Sequence, residues 1–310
     1  MIDISFSSSN NWNHPLRINT TSGRFRGQEI QINHVTVQQF LGIPYGEKPV
    51  RFELPVLRNY NNRTIIDATK RTPACIQASG SLSYGPFTLS DMYDEDCLTL
   101  NLFIPTMNSS TPKAIMVFCH GGSNQVGSGS LFDGSAVAAI GDVIVITINY
   151  RLNILGFLTP DVHILQGNYG LHDQLLALKW ISLNAMNFHG DAKRITYVGH
   201  SAGAANAIIL AMSKRSDGLI ARVIAQSGCP LNQWWMEKLN GFLDLSLVVS
   251  SSSRAVDRDP KIRFNDVIQR NGMQTKKKFI QSNIEQLRRR PAEGFRYKSY
   301  LGLDVLPEYP

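Results

Sequence analysis

The sequence predicts an α/β protein: a mostly parallel central sheet with flanking helices. Three observations point there. The 310-residue chain is 43% hydrophobic and 18% charged, which supports a sizeable core and excludes a disordered chain. Its middle third holds short, continuous apolar runs, the pattern of strands buried on both faces. Those runs alternate with segments of helical periodicity, as a β-α-β order requires.

The first hundred residues read as short strands and turns. Gly23 to Gln28, Val35 to Leu41 and Cys97 to Ile104 alternate or run apolar between turn signals. Ile43-Pro44-Tyr45-Gly46 is expected to break the second of these. Ala114 to Cys119 is a continuous apolar run ending at His120-Gly121-Gly122, and Val143 to Ile148 is another, ending at Asn149-Tyr150-Arg151. Leu171 to Leu183 has helical spacing, with Leu175, Leu176, Leu178, Trp180 and Ile181 clustering to one side. Arg194 to Val198 reads as a strand running into Gly199-His200-Ser201-Ala202-Gly203, and Ala204 to Met212 as a helix. Ala221 to Ala225 reads as a last strand, before Gln226-Ser227-Gly228. Beyond Cys229 the pattern weakens: an exposed loop over 250–260, then an amphipathic helix over Lys276 to Arg290, stopped by Pro291.

The formal net charge is +7, and residues 251–310 alone hold 13 basic and 7 acidic side chains. The excess comes from two short clusters, Lys276 to Lys278 and Arg288 to Arg290. These read as solvated helix faces, with a basic patch for an acidic partner as the alternative. A nucleic-acid partner is not expected, because such proteins spread or stripe their charge over a face. No apolar run reaches the roughly 18 residues of a membrane-spanning helix, and the polar first thirty residues lack the core of a signal peptide. Cys119 sits in an apolar run and reads as a buried small hydrophobe. Cys75 and Cys97 flank a polar stretch that a bridge would close. Asn19, Asn62 and Asn108 head Asn-x-Ser/Thr triplets, a weak hint of secretion.

Gly199 to Gly203 fits G-x-S-x-G. A sharp strand-to-helix turn holds its serine at strained backbone angles and aims Oγ into a cleft, while the glycines let neighbouring backbone pass. His120-Gly121-Gly122-Ser123 follows a buried strand some eighty residues earlier. Small residues there let an ester carbonyl approach backbone N–H donors.

These motifs resemble the type-B carboxylesterases, the cholinesterase-like branch of the α/β-hydrolases. The likeness also rests on Phe40 to Tyr45, Glu95 to Asn101, Asn149 to Arg151, Leu155 to Leu158, Gly167 to Leu171 with Asp173-Gln174, Ala177 to Trp180 and Gln226 to Gly228. It is strong from 17 to 231 and faint over the basic 232–310, so 1–310 reads as a single incomplete α/β-hydrolase domain whose C-terminal part is missing. The resemblance implies a carboxylic-ester hydrolase with a small-molecule ester substrate and no cofactor or metal. Ser201 would be the nucleophile that forms an acyl-enzyme. Gly122, Ser123 and Ala202 would supply oxyanion-hole N–H groups, and Cys75–Cys97 would be the family's first disulfide. Arg51 with Glu95, and Arg151 with Asp173, would be structural ion pairs. A secretory location would follow from the family and the bridge.

The sequence also departs from the family. Ser123 stands where a third glycine is usual, and His200 where glutamate is. No Trp lies between Cys75 and Cys97, which disfavours choline esters, held elsewhere by cation–π attraction. All seven histidines lie at or before 200, whereas the order in this fold is Ser, acid, His. The chain is therefore expected to be a fragment lacking the acid and base. The alternative is an inactive esterase-like protein acting through a protein partner, since the family contains adhesion proteins that keep the fold without the triad.

Overall fold

The computed structural model describes residues 4–6, 16–59, 64–77, 83–84, 87–88, 93–106, 110–158, 165–231, 236–237, 248–249, 285 and 287–289. Asn62, Asn108, the 250–260 loop, Lys276 to Lys278 and most of the expected 276–290 helix lie outside them. Residues 285 and 287–289 are helical.

The core is one eight-stranded sheet. Its strands are β1 (Ile4–Phe6), β2 (Gln28–Ile32), β3 (Val35–Pro44), β4 (Thr99–Pro105), β5 (Lys113–Cys119), β6 (Ile144–Ile148), β7 (Gly190–His200) and β8 (Arg222–Gln226), in the order β1-β2-β3-β4-β6-β5-β7-β8. The sheet is mixed. β5 to β8 form a parallel half through the pairs β6/β5, β5/β7 and β7/β8, and β1 to β4 join it antiparallel. The division follows the connections. A tight turn at Asn33 and His34 can only return an antiparallel neighbour, whereas parallel strands need a crossover.

Two strand boundaries differ from expectation. Gly23 to Gln28 is not one strand. Gly23–Arg26 belongs to a small separate sheet, and β2 starts at Gln28. Ile43-Pro44 does not break β3, because Ile43 and Pro44 still pair with Leu100 and Thr99; proline is tolerated at a strand end.

Helices cover both faces. α3 (Tyr169–Asn184) and α4 (Ala202–Ala211) pack with β5, β6 and β7 in the largest apolar cluster, which includes Ile115, Val117, Ile146, Ile195, Tyr197, Leu178, Trp180, Ala207 and Leu210. α1 (Ser135–Gly141) packs its Ala138 and Ala139 against Phe103 and Val145 on the other face. α3 is buried nearly all round, with Lys179 and Leu183 among its few exposed residues, so it is less one-sided than its spacing implies. The short α2 (Asn153–Phe157) leads toward α3.

Two ion pairs, one buried and one partly buried, tie the loops to this frame. Arg151 donates to both oxygens of Asp173, at 2.8 and 2.7 Å. Arg51 grips Glu95, with its Nε at 2.7 Å from Oε2, and donates from Nη1 to the Leu287 carbonyl at 2.9 Å. Leu287 is fully buried beside Phe52, Leu155 and Tyr169. A disulfide joins Cys75 to Cys97. No helix among the described residues is long and apolar enough to cross a membrane.

Candidate active site

The parallel ladder brings the motifs to one edge. Cys119 at the end of β5 is level with Ile148 of β6 and Gly199 of β7. The segments that begin at His120, Asn149 and Ser201 therefore leave the sheet side by side. Crevices at the carboxyl ends of parallel strands are where this class of fold binds ligands.

Ser201 sits between β7 and α4 at φ 54°, ψ −117°, a strained combination for a residue with a side chain. Its N–H donates to the Gln226 carbonyl at 2.7 Å, so the end of β8 fixes the turn from outside. α4 starts directly after it and lies tight against the end of β5. A Cβ on Gly203 would stand 2.3 Å from the Cys119 carbonyl oxygen, a space only glycine fits.

A cleft of about 420 Å³ opens over Ser201. Gly121 and Gly122 form one side, His200 and Gln226 another, and Phe118, Leu131 and Phe132 an apolar wall. The Phe118 and Phe132 rings stack at 4.4 Å. No acidic side chain is among the described lining residues. The structure thus brings Gly122 and Ser201 to one cavity. Ala202 is buried as the first residue of α4, where its N–H has no partner within the helix. Ser123 is half-buried on the adjoining turn and does not line the cleft. Gly122, Ser123 and Asn124 all take positive φ, at 99°, 56° and 55°.

The His120 ring is already engaged. Burial pushes the His120 imidazole down to about 4. Its Nδ1 lies 2.8 Å from the Gly121 carbonyl, which can only accept, so Nδ1 carries the proton. The ring stacks on Tyr150 at 4.5 Å. Burial likewise pushes His172 down to about 4, helped by Arg215. His189 is exposed in the turn before β7. His200 lines the cleft, but no hydrogen bond joins a histidine to the Ser201 hydroxyl among the described residues. Burial pushes the Cys119 thiol up to about 12, which rules it out as a nucleophile at neutral pH. Among the described residues no three His, Cys, Asp or Glu side chains cluster as metal ligands.

Sequence reasoning did not anticipate several participants. The apolar wall, the Gln226 carbonyl and the polar group of Asn124, Tyr150 and Asn206 beneath the glycine turn all come from the tertiary structure. Only Gln226, within Gln226-Ser227-Gly228, and Tyr150, within Asn149-Tyr150-Arg151, carried a sequence signal.

Comparison with known proteins identifies the family. The chain is 39% identical to mouse neuroligin-2 over an alignment of 256 positions that covers 70% of this chain and 30% of that protein. It is 40% identical to mouse carboxylesterase 3B over 223 residues, 68% of this chain and 39% of that protein. Against juvenile hormone esterase of Heliothis virescens the identity is 38% over 225 residues, 69% and 39% respectively. The chain thus spans well under half the length of these relatives. The profile of the carboxylesterase family matches residues 14–305. With that match, the elbow-like turn at Ser201 and the glycine turn facing it, the chain belongs to the carboxylesterase family and has its α/β-hydrolase fold.

Proposed function

We propose that this chain carries the nucleophile and oxyanion half of a carboxylic-ester hydrolase that works through a serine acyl-enzyme. The observation that carries the reading is Ser201, held at a strained turn on the floor of a cleft beside Gly121 and Gly122. Ser201 Oγ attacks the ester carbonyl. The N–H groups of Gly122, Ser123 and Ala202 receive the oxyanion, aided by the positive end of α4. The alcohol leaves, and water then releases the acid. The chain 1–310 reads as one incomplete α/β-hydrolase unit, and the general base and its acid come from sequence beyond these residues. The chain's limited span of its relatives and the occupied state of His120 support that division. A cleft whose described lining holds a phenylalanine wall and no acidic side chain favours neutral, apolar esters over choline esters. The Cys75–Cys97 bridge favours an oxidising, secretory location.

The test is labelling of the full-length protein with a fluorophosphonate, followed by mass spectrometry of the peptide that contains Ser201. A covalent adduct on Ser201, lost in Ser201→Ala, is expected. A folded protein that stays unlabelled overturns the reading. The similarity to neuroligin-2 favours the second reading, an inactive esterase-like interaction protein, which that outcome would leave standing.

A further inference from the structure

Beneath the glycine turn lies a buried polar group that the proposed chemistry does not use directly. Asn206, on α4 five residues after Ser201, donates from Nδ2 to Asn124 Oδ1 at 2.9 Å. The Tyr150 hydroxyl is 3.2 Å from the same Asn124 oxygen and 3.0 Å from the His120 carbonyl. The Asn124 carbonyl accepts from the Asn153 N–H at 2.8 Å. Asn124, Tyr150 and Asn206 are each fully buried.

This arrangement is an expensive one to keep. Asn124 Nδ2 and Asn206 Oδ1 are buried without a hydrogen-bond partner among the described residues, which an apolar pair would avoid. The backbone is also held in an unfavourable state. Gly122, Ser123 and Asn124 take positive φ in succession, and L-residues rarely do so outside isolated positions. The Asn206–Asn124 bond, which joins α4 to this turn, is placed where two sets of donors must agree. Gly122 and Ser123 belong to the turn, and Ala202 belongs to the helix.

We propose that Asn124 and Asn206 are positioning residues. Their amide bond, backed by the Tyr150 hydroxyl, sets the Gly122–Ser123 turn against the start of α4, so that all three N–H groups meet on one developing oxyanion. The inference rests on Ser201 being the nucleophile. Losing the bond leaves substrate binding in place but lets the turn drift, and donors a few tenths of an ångström adrift lose much of their worth in the transition state.

The experiment uses the full-length protein, with p-nitrophenyl acetate hydrolysis and the rate of fluorophosphonate labelling as readouts. Asn206→Ala is expected to lower kcat and the labelling rate by about 10-fold to 100-fold, with KM within about twofold. Asn124→Ala combined with Asn206→Ala is expected to be no worse than the more damaging single change, because both remove the same bond. Tyr150→Phe, which removes one hydroxyl and keeps the ring, is expected to give a smaller loss in kcat of about 3-fold to 10-fold, and serves where Asn206→Ala does not fold. If labelling and kcat per folded molecule are unchanged in Asn206→Ala, or in Tyr150→Phe where that variant stands in, while the melting temperature falls, the pair is structural only and the inference is overturned. An unlabelled parent protein overturns the nucleophile reading first, and this inference with it.

Discussion

At the scale of single residues, the site depends on the absence of side chains as much as on their presence. A Cβ on Gly121 would stand 2.7 Å from the His200 carbonyl oxygen and 2.9 Å from the Ser201 Cβ. Neither neighbour can yield, since one is backbone and the other is pinned by its own bond to Gln226. Gly121→Ala is therefore expected to push the turn away from Ser201 and slow its fluorophosphonate labelling by at least about 10-fold, a loss in the range seen when an oxyanion donor is displaced. Labelling equal to the parent's would show that the turn and the serine move independently. Ser123 gives the opposite lesson. It is half-buried at positive φ on the turn beside the cleft and is not part of the cleft lining, so its place in the site rests on the backbone course of the turn and not on its side chain.

At the scale of elements, legibility in the sequence followed burial pattern. β6 is buried along its whole length, and β5 is buried at alternate residues and at least half-buried at the others, so Val143 to Ile148 and Ala114 to Cys119 are unbroken apolar runs and could be read directly. β2 escaped notice because Gln28-Glu29-Ile30-Gln31-Ile32 buries only alternate residues at the antiparallel side. α1 has no side-chain cap at Gly134 and ends at Asp142 in a left-handed conformation, so neither end was marked by the residues that usually announce a helix. In the site, Ser201 and the glycine turn were legible because their spacing is local. Asn124 and Asn206 were not, because they are far apart in sequence and meet only when α4 docks. The Arg151–Asp173 pair joins two elements and shows what such docking is worth. Asp173 is fully buried, and Arg151 reaches it with both arms. Asp173→Asn leaves a buried guanidinium uncompensated and is expected to cost about 3–5 kcal/mol in denaturant unfolding. A loss under about 1 kcal/mol would mean water reaches Arg151.

At the scale of the whole molecule, two neutral histidines make stability depend on pH. His120 and His172 are both held down to about 4, burial being the first cause in each. Their unfolded values are near 6.5, so the unfolded chain takes up protons first as the solution is acidified. Their contribution is complete above pH 6.5 and is lost between there and pH 4. From pH 7.5 to 5.5 the loss is expected to be roughly 1 kcal/mol for each histidine. Urea midpoints across that range check this, and a flat profile would contradict it.

The dependence of Ser201 on β8 has a consequence for how the site is born. The strand order leaves β7 and β8 at the far side of the sheet from the N-terminus. The turn at Ser201 is closed by the Gln226 carbonyl, and Gly228 lies so near that a Cβ there would stand 2.0 Å from the Ser201 carbonyl oxygen. During synthesis the glycine turn after β5 emerges about a hundred residues before this clasp. A growing chain can thus lay down the antiparallel half and β5 while the serine is still unset. The Ser201 turn can close only once Gln226 and Gly228 are present to hold it.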